Sequence, residues 1–230
     1  YSKMGIDLKK YLTEQYHKSI SKDTEPGPVI TISREYGCSA KKLASELILL
    51  LDAEKKLNKE WTWINKEIFD DTAKALNLKQ KRIKHVFEGK KTGFVDSIIL
   101  SSAERYYKSD IAIKKKMIEV VRSFAERGNT IIIGLGSCVI CRDIKKSLHI
   151  RLQAPFDWRA LQVAEKRSKG ILEVMKYAKN IDKKRTALRK SFEAKDDFDE
   201  LFDLNFNVMT MSYKEIAEII IFTMKYRKMI

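Results

Sequence analysis

Three short runs constrain this chain more than anything else in it: Val29-Ile30-Thr31-Ile32, Thr130-Ile131-Ile132-Ile133 and Leu148-His149-Ile150-Arg151-Leu152. The first two are continuous runs of β-branched residues, the third alternates apolar and polar residues, and long stretches with helical periodicity separate them. Strands that are apolar on both sides need cover on both sides. The predicted class is therefore α/β, a parallel sheet between two helical layers. An open sheet of this kind binds ligands beyond the carboxyl ends of its strands. That directs attention to three places: the turns after Ile32 and Ile133, and the segment after Leu152.

The rest of the chain fits around these runs. An amphipathic helix is predicted over 5–21, with Ile6, Leu8, Leu12, Tyr16 and Ile20 on one side. Pro26, Gly27 and Pro28 mark a linker, dividing a segment 1–27 from a domain 28–230. Further helices are expected at 41–53, 155–169, 180–195 and 213–226, and short strands at 62–64 and 204–208. Residues 66–127 read as mostly helical, broken near Gly89 and Gly93 and ending at Gly128.

Composition narrows the function classes. No apolar run approaches the roughly 18 residues of a membrane span, and the first residues lack the apolar core of a signal peptide. No membrane partner is expected. Three unpatterned cysteines fit a reducing compartment, with cytoplasm as the expectation. Cys138 and Cys141 form a C-x-x-C without a second half-site, so buried thiols on a short helix are expected and no metal site is. The formal net charge of +15 favours polyanionic ligands. The lysines are scattered along helices, however, and no nucleic-acid-binding signature is present, so nucleic acid is not the expected partner.

The first turn carries the most chemistry. Ser33-Arg34-Glu35-Tyr36-Gly37-Cys38-Ser39-Ala40-Lys41-Lys42 joins a buried strand to a helix start. Such a turn can aim backbone N–H groups and the positive end of the helix at a phosphate. A plain strand-to-helix turn is the alternative. The regular G-x-x-x-x-G-K-[ST] pattern is not met.

Ser33-Arg34-Glu35-Tyr36-Gly37 resembles the S-R-E-[YF]-G opening of the cytidylate-kinase-like branch of the P-loop nucleoside monophosphate kinases. The likeness continues through Glu126-Arg127-Gly128-Asn129 and the strand after it, Leu148 to Pro155, Asp182-Lys183-Lys184-Arg185, and Phe202-Asp203-Leu204-Asn205-Phe206-Asn207. It covers about residues 28–227. It implies a three-layer P-loop fold with a helical lid at about 159–195, ATP and magnesium as cofactors, and phosphoryl transfer to a nucleoside monophosphate or related small phosphate acceptor. Homo-oligomers are compatible with it.

By this resemblance, Ser33, Arg34, Gly37, Cys38, Ser39 and Lys42 would hold the triphosphate, joined by Arg159, Arg167 and Arg189 from the lid. Asp182 and Arg185 would be catalytic, as orienting carboxylate and charge-neutralising guanidinium, with Lys41 or Lys42 standing in as the cation. Lys66, Gly134 and Gly136 would face the acceptor; Arg142, one or two helical turns beyond the family's arginine position, is the candidate to replace that arginine. Three positions depart from the family's pattern. Ala40 stands at the P-loop lysine position, Lys42 at the hydroxyl position, and Leu135 replaces the arginine of a G-R-G triplet. They motivate a second expectation, a nucleotide-binding protein impaired in catalysis.

Overall fold

The computed structural model describes residues 27–54, 60–67, 117–192 and 201–230. The predicted helix at 5–21, most of 66–127 and residues 193–200 lie outside them. Five strands form one parallel sheet: β1 (Val29–Arg34), β2 (Thr62–Ile64), β3 (Thr130–Ile133), β4 (Ser147–Gln153) and β5 (Leu204–Asn207). Their order is β2-β3-β1-β4-β5, so β1 is central. Val29 pairs with Thr130 on one side and Ser147 on the other.

Helices cover both faces, as parallel strands require. One layer holds α1 (Ala40–Ala53) and α6 (Tyr213–Tyr226). Leu43, Leu47 and Leu51 of α1 meet Ile216, Ile220 and Met224 of α6 over Ile30, Ile32 and Ile150 of the sheet. The other layer holds α2 (117–127) and the short α3 (Ser137–Ile140). There Met117, Val121 and Phe124 pack with Val29, Ile132 and Ile144. The result is a three-layer α/β/α fold. The remaining helices, α4 (Phe156–Arg167) and α5 (Ile171–Lys190), pack against each other after β4.

Two boundaries differ from expectation for physical reasons. β1 runs on through Ser33 and Arg34, because Arg151 and Leu152 of β4 extend to pair with them. α5 starts well before residue 180, at Ile171. Its first turns expose Leu172 and Tyr177, so no clean apolar stripe announced it. The C-x-x-C is a buried pair of free thiols in and just after α3, and burial pushes Cys141 up to about 12. Among the described residues, no helix is long and apolar enough to cross a membrane.

One buried group predicts a pH response. His149 of β4 is 7% exposed. Its Nδ1 lies 2.7 Å from Thr31 Oγ1 and its Nε2 3.1 Å from Ser147 Oγ. Asp203, which accepts from the His149 backbone N–H and pairs with Arg227, is the charged neighbour. Burial holds the imidazole below its ordinary value; Asp203 opposes this and Arg227 adds to it. The folded state therefore favours neutral His149. That stability is intact above the unfolded value of about 6.5 and is lost as pH falls from there through the folded value. The melting temperature is expected to drop on acidification from pH 7 to 5. His149→Gln should flatten the part of the slope nearest pH 6.5. An unaltered slope in that variant would exclude His149 as its source.

Candidate functional site

The turn after β1 sits at the carboxyl edge of the sheet and is held from several sides. Glu35 N–H donates to Leu152 O and Cys38 N–H to Glu35 O. Tyr36 N–H donates to the Asp182 carboxylate at 2.6 Å, and Ser39 N–H to the Tyr213 hydroxyl at 2.7 Å. Gly37 has φ +95°, and a Cβ there would meet Arg159 Cβ at 3.0 Å, so the turn can lie directly on the start of α4. At the head of α1, Lys42 and Leu43 both donate to Ser39 O. The amides of Ala40 and Lys41 are the orphan donors every helix start leaves.

Two neighbouring cavities open beside this turn. The larger, about 610 Å³, is lined by the loop 36–41, Asn65, Lys66 and Glu67, and by Lys166, Arg167, Tyr177 and Arg185 from α4 and α5. The second, about 440 Å³, lies between the segment 133–136 and one face of α5: Tyr177, Ile181, Lys184, Arg185 and Leu188. Arg34, Lys66, Ile133, Tyr177 and Arg185 line both, so the cavities share a wall. Among the described residues, Glu67 is the single carboxylate lining either one.

The candidate residues divide into groups. Arg185 reaches the end of β1 and donates to Arg34 O at 3.0 Å, with Asp182 at 3.6 Å. Burial lowers its pKa and the Asp182 charge raises it, with a net downward shift. Ser33, Gly134, Gly136 and Arg189 line the smaller cavity, while Gly37, Cys38, Ser39, Lys41 and Arg167 line the larger. Burial pushes the Cys38 thiol up to about 12, so it is no nucleophile at neutral pH. Lys41 Nζ is bound to Glu67 at 2.7 Å and 3.0 Å and stands 5.9 Å from the Trp63 ring.

Others stand elsewhere. Arg159 is 5% exposed and lines neither cavity. Its guanidinium is spent on Ala154 O, Tyr36 O, Asp182 and Glu35. It works as a clamp between the turn and helices α4 and α5 rather than as an open phosphate ligand. Asp182 is the other half of that clamp, accepting from Tyr36 N–H and from Arg159 at 2.9 Å. Lys42 is exposed and turned to the Tyr213 ring, 5.9 Å away, and lines neither cavity. Arg142 is exposed beyond α3 and also lines neither. Leu135 has φ +62° and packs into the α2 core with Ile140 and Leu188. Where the resemblance implies an arginine, the chain has a buried apolar side chain that also lines the smaller cavity.

Glu67 belongs with Asn65 and Lys66 to the segment where the family resemblance puts the acceptor side, and it lines the larger cavity. Asn65, 5% exposed, holds it twice: Asn65 Oδ1 accepts from Glu67 N–H and Asn65 Nδ2 donates to Glu67 Oε2. The signal was Asn65-x-Glu67 directly after a strand, the spacing of an Asx turn. Among the described residues, no group of three or more metal-ligating side chains comes together.

Comparison with known proteins agrees with this architecture. The sequence matches the cytidylate kinase-like family over residues 29–210, and the chain belongs to that family. An uncharacterized protein from Eubacterium ventriosum ATCC 27560 shares the fold at 16% identity and a TM-score of 0.61, over 87% of this chain and 99% of that one. Shikimate kinase from Acinetobacter baumannii, solved in complex with shikimate, aligns at 11% identity and a TM-score of 0.48, over 89% of this chain and 96% of that one. No curated protein matches.

Proposed function

We propose that this chain binds a nucleoside triphosphate in the larger cavity and transfers its terminal phosphoryl group to a nucleoside monophosphate or related small phosphorylated acceptor in the smaller one. The observation that carries this is the shared wall. Arg34, Lys66 and Arg185 face both cavities, with Lys41, Lys166 and Arg167 beside them in the larger, against the carboxylate of Glu67, the single one there among the described residues. Phosphoryl transfer asks a protein mainly for positioning and for charge opposite the transferring oxygens, and this wall supplies both. Three free buried thiols fit action in a reducing compartment such as the cytoplasm.

Magnesium takes one or two protein oxygens and completes its shell with phosphate oxygens and water. Glu67 and Ser39, both lining the larger cavity, are the residues that would hold it. When bound, it would screen the phosphate charges. Lys41 would serve the triphosphate by leaving Glu67. Their pair is exposed, with side chains 52% and 73% accessible, so parting it costs at most about 1 kcal/mol.

A second reading is nucleotide binding without transfer. Two loop amides that would face a phosphate are already taken by Asp182 and Tyr213, and Lys42 points away. Thermal shift with ATP and magnesium, followed by a product assay across the common monophosphates, separates the readings. Binding with transfer supports the first. Binding without transfer selects the second, and no shift with any nucleotide rejects both. Under the first reading, Lys41→Met lowers turnover by roughly 100-fold while moving the ligand-free melting temperature by no more than about 2–4 °C.

A further inference from the structure

Leu135 is held against the preference of its own backbone. It has φ +62°, between Gly134 at +74° and Gly136 at +69°. Glycine adopts that conformation freely, whereas a residue with a side chain is strained there and persists only where its surroundings fix it. The surroundings are tight on both sides. A Cβ on Gly134 would run into Arg34 Nη1, and one on Gly136 would come within 2.6 Å of the Phe192 ring. Both glycines are pinned, one under a guanidinium and one under a phenyl ring. Leu135 between them is 5% exposed, and what it does expose lines the smaller cavity.

Other apolar side chains continue that surface. Tyr177, Ile181 and Leu188 lie at helical spacing on one face of α5 and line the same cavity, with Ile133 at the end of β3. Ile133 and Leu188 are buried and Ile181 half-buried, so the surface is fixed by packing. Tyr177 is set edge-on against Tyr36, with ring centroids 5.3 Å apart. Lys184 and Arg189, from the same helix, give the cavity a basic side. An apolar floor favours the part of a ligand that carries no charge. An ionised oxygen laid on it would lose water without gaining a counter-charge. The cavity, at about 440 Å³, has room for a ring and its substituents.

We infer that Leu135 is a specificity-determining residue of the smaller cavity: with Ile133, Ile181 and Leu188 it receives an uncharged ring of the acceptor, such as a nucleobase, and leaves the acceptor's phosphate to the basic side. This rests on the proposal that the smaller cavity holds the acceptor. It narrows the substrate class from any small phosphorylated molecule to one that carries a ring, and it puts hydrocarbon rather than charge at position 135.

The test is calorimetric titration with the four common ribonucleoside monophosphates and with ribose 5-phosphate, which has the phosphate and no base. The protein is first saturated with β,γ-imido ATP, which cannot transfer. The best monophosphate is expected to bind at least about 10-fold tighter than ribose 5-phosphate. Leu135→Gly, which the left-handed backbone accepts, should shrink that ratio roughly 10-fold while moving the ribose 5-phosphate affinity by no more than about 3-fold. Ile181→Ser, on the half-buried helix face, should act in the same direction, and ligand-free melting checks that both variants fold. Equal binding of ribose 5-phosphate and the best monophosphate, or a ratio unaltered in both variants, would overturn the apolar floor and leave the proposed function standing on the bound ATP analogue. If neither the analogue nor any monophosphate binds, the reading of the cleft falls with it.

Discussion

Under the proposed transfer, Arg185→Ala is expected to lower turnover by about 1,000-fold or more, the scale of a lost transition-state arginine. The residue is fixed by its place on α5, by Arg34 O at 3.0 Å and by Asp182 at 3.6 Å, and it faces both cavities. Its charge is already disfavoured by burial. Removing it therefore relieves the empty protein while depriving the transferring group of a partner. The ligand-free melting temperature should stay level or rise as turnover collapses. Arg185→Lys should rescue little, because a single ammonium cannot reproduce the fork. Steady-state rates with ATP and whichever monophosphate accepts are the measurement. Undiminished turnover in Arg185→Ala would remove the residue from the site and leave the lid without a chemical role.

Asp182→Ala is expected to act through folding as well. Two charge-assisted hydrogen bonds disappear, from Tyr36 N–H and from Arg159. Arg159 keeps Glu35 and two carbonyls but remains almost fully buried. A loss of about 3 kcal/mol follows, which is roughly 6–12 °C in melting temperature for a domain of this size. Leu161→Ala, on an exposed face of the neighbouring helix α4, serves as the control and should change little. Thermal melting without ligand decides it. A shift no larger than the control's would mean that the turn holds its shape without the clamp.

The centre of the sheet was legible because β1 and β3 are buried on both faces and rich in β-branched residues. Thr62–Ile64 and Tyr213–Tyr226 fall where expected, the latter because Ser212 and Glu215 form a capping box. The site was legible only in part. Polar residues at the end of β1 looked like turn, and their strand pairing depends on β4, which no local pattern shows. The basic residues of the lid carry the same letters whether they face a cavity or clamp a loop. Arg185 faces the cavities and Arg159 is buried among carbonyls and carboxylates, a difference set by helix phase and by partners distant in sequence. Arg142 was a candidate by proximity along the chain, and α3 ends too early to bring it to either cavity. The weight of Glu67 was not legible, because it lies in being the single carboxylate that lines the two cavities among the described residues, a property of the assembled wall.

The central position of β1 has a consequence for synthesis. Its neighbours are β3 and β4, and Val29 cannot pair until Thr130 and Ser147 exist. At roughly 5–20 residues per second, a ribosome leaves this strand waiting on the order of 5–20 s. During that interval Val29-Ile30-Thr31-Ile32 is an unpaired, β-branched ribbon offered to any passing edge. Production of the chain should therefore be limited by what shields its first strand before the second half arrives.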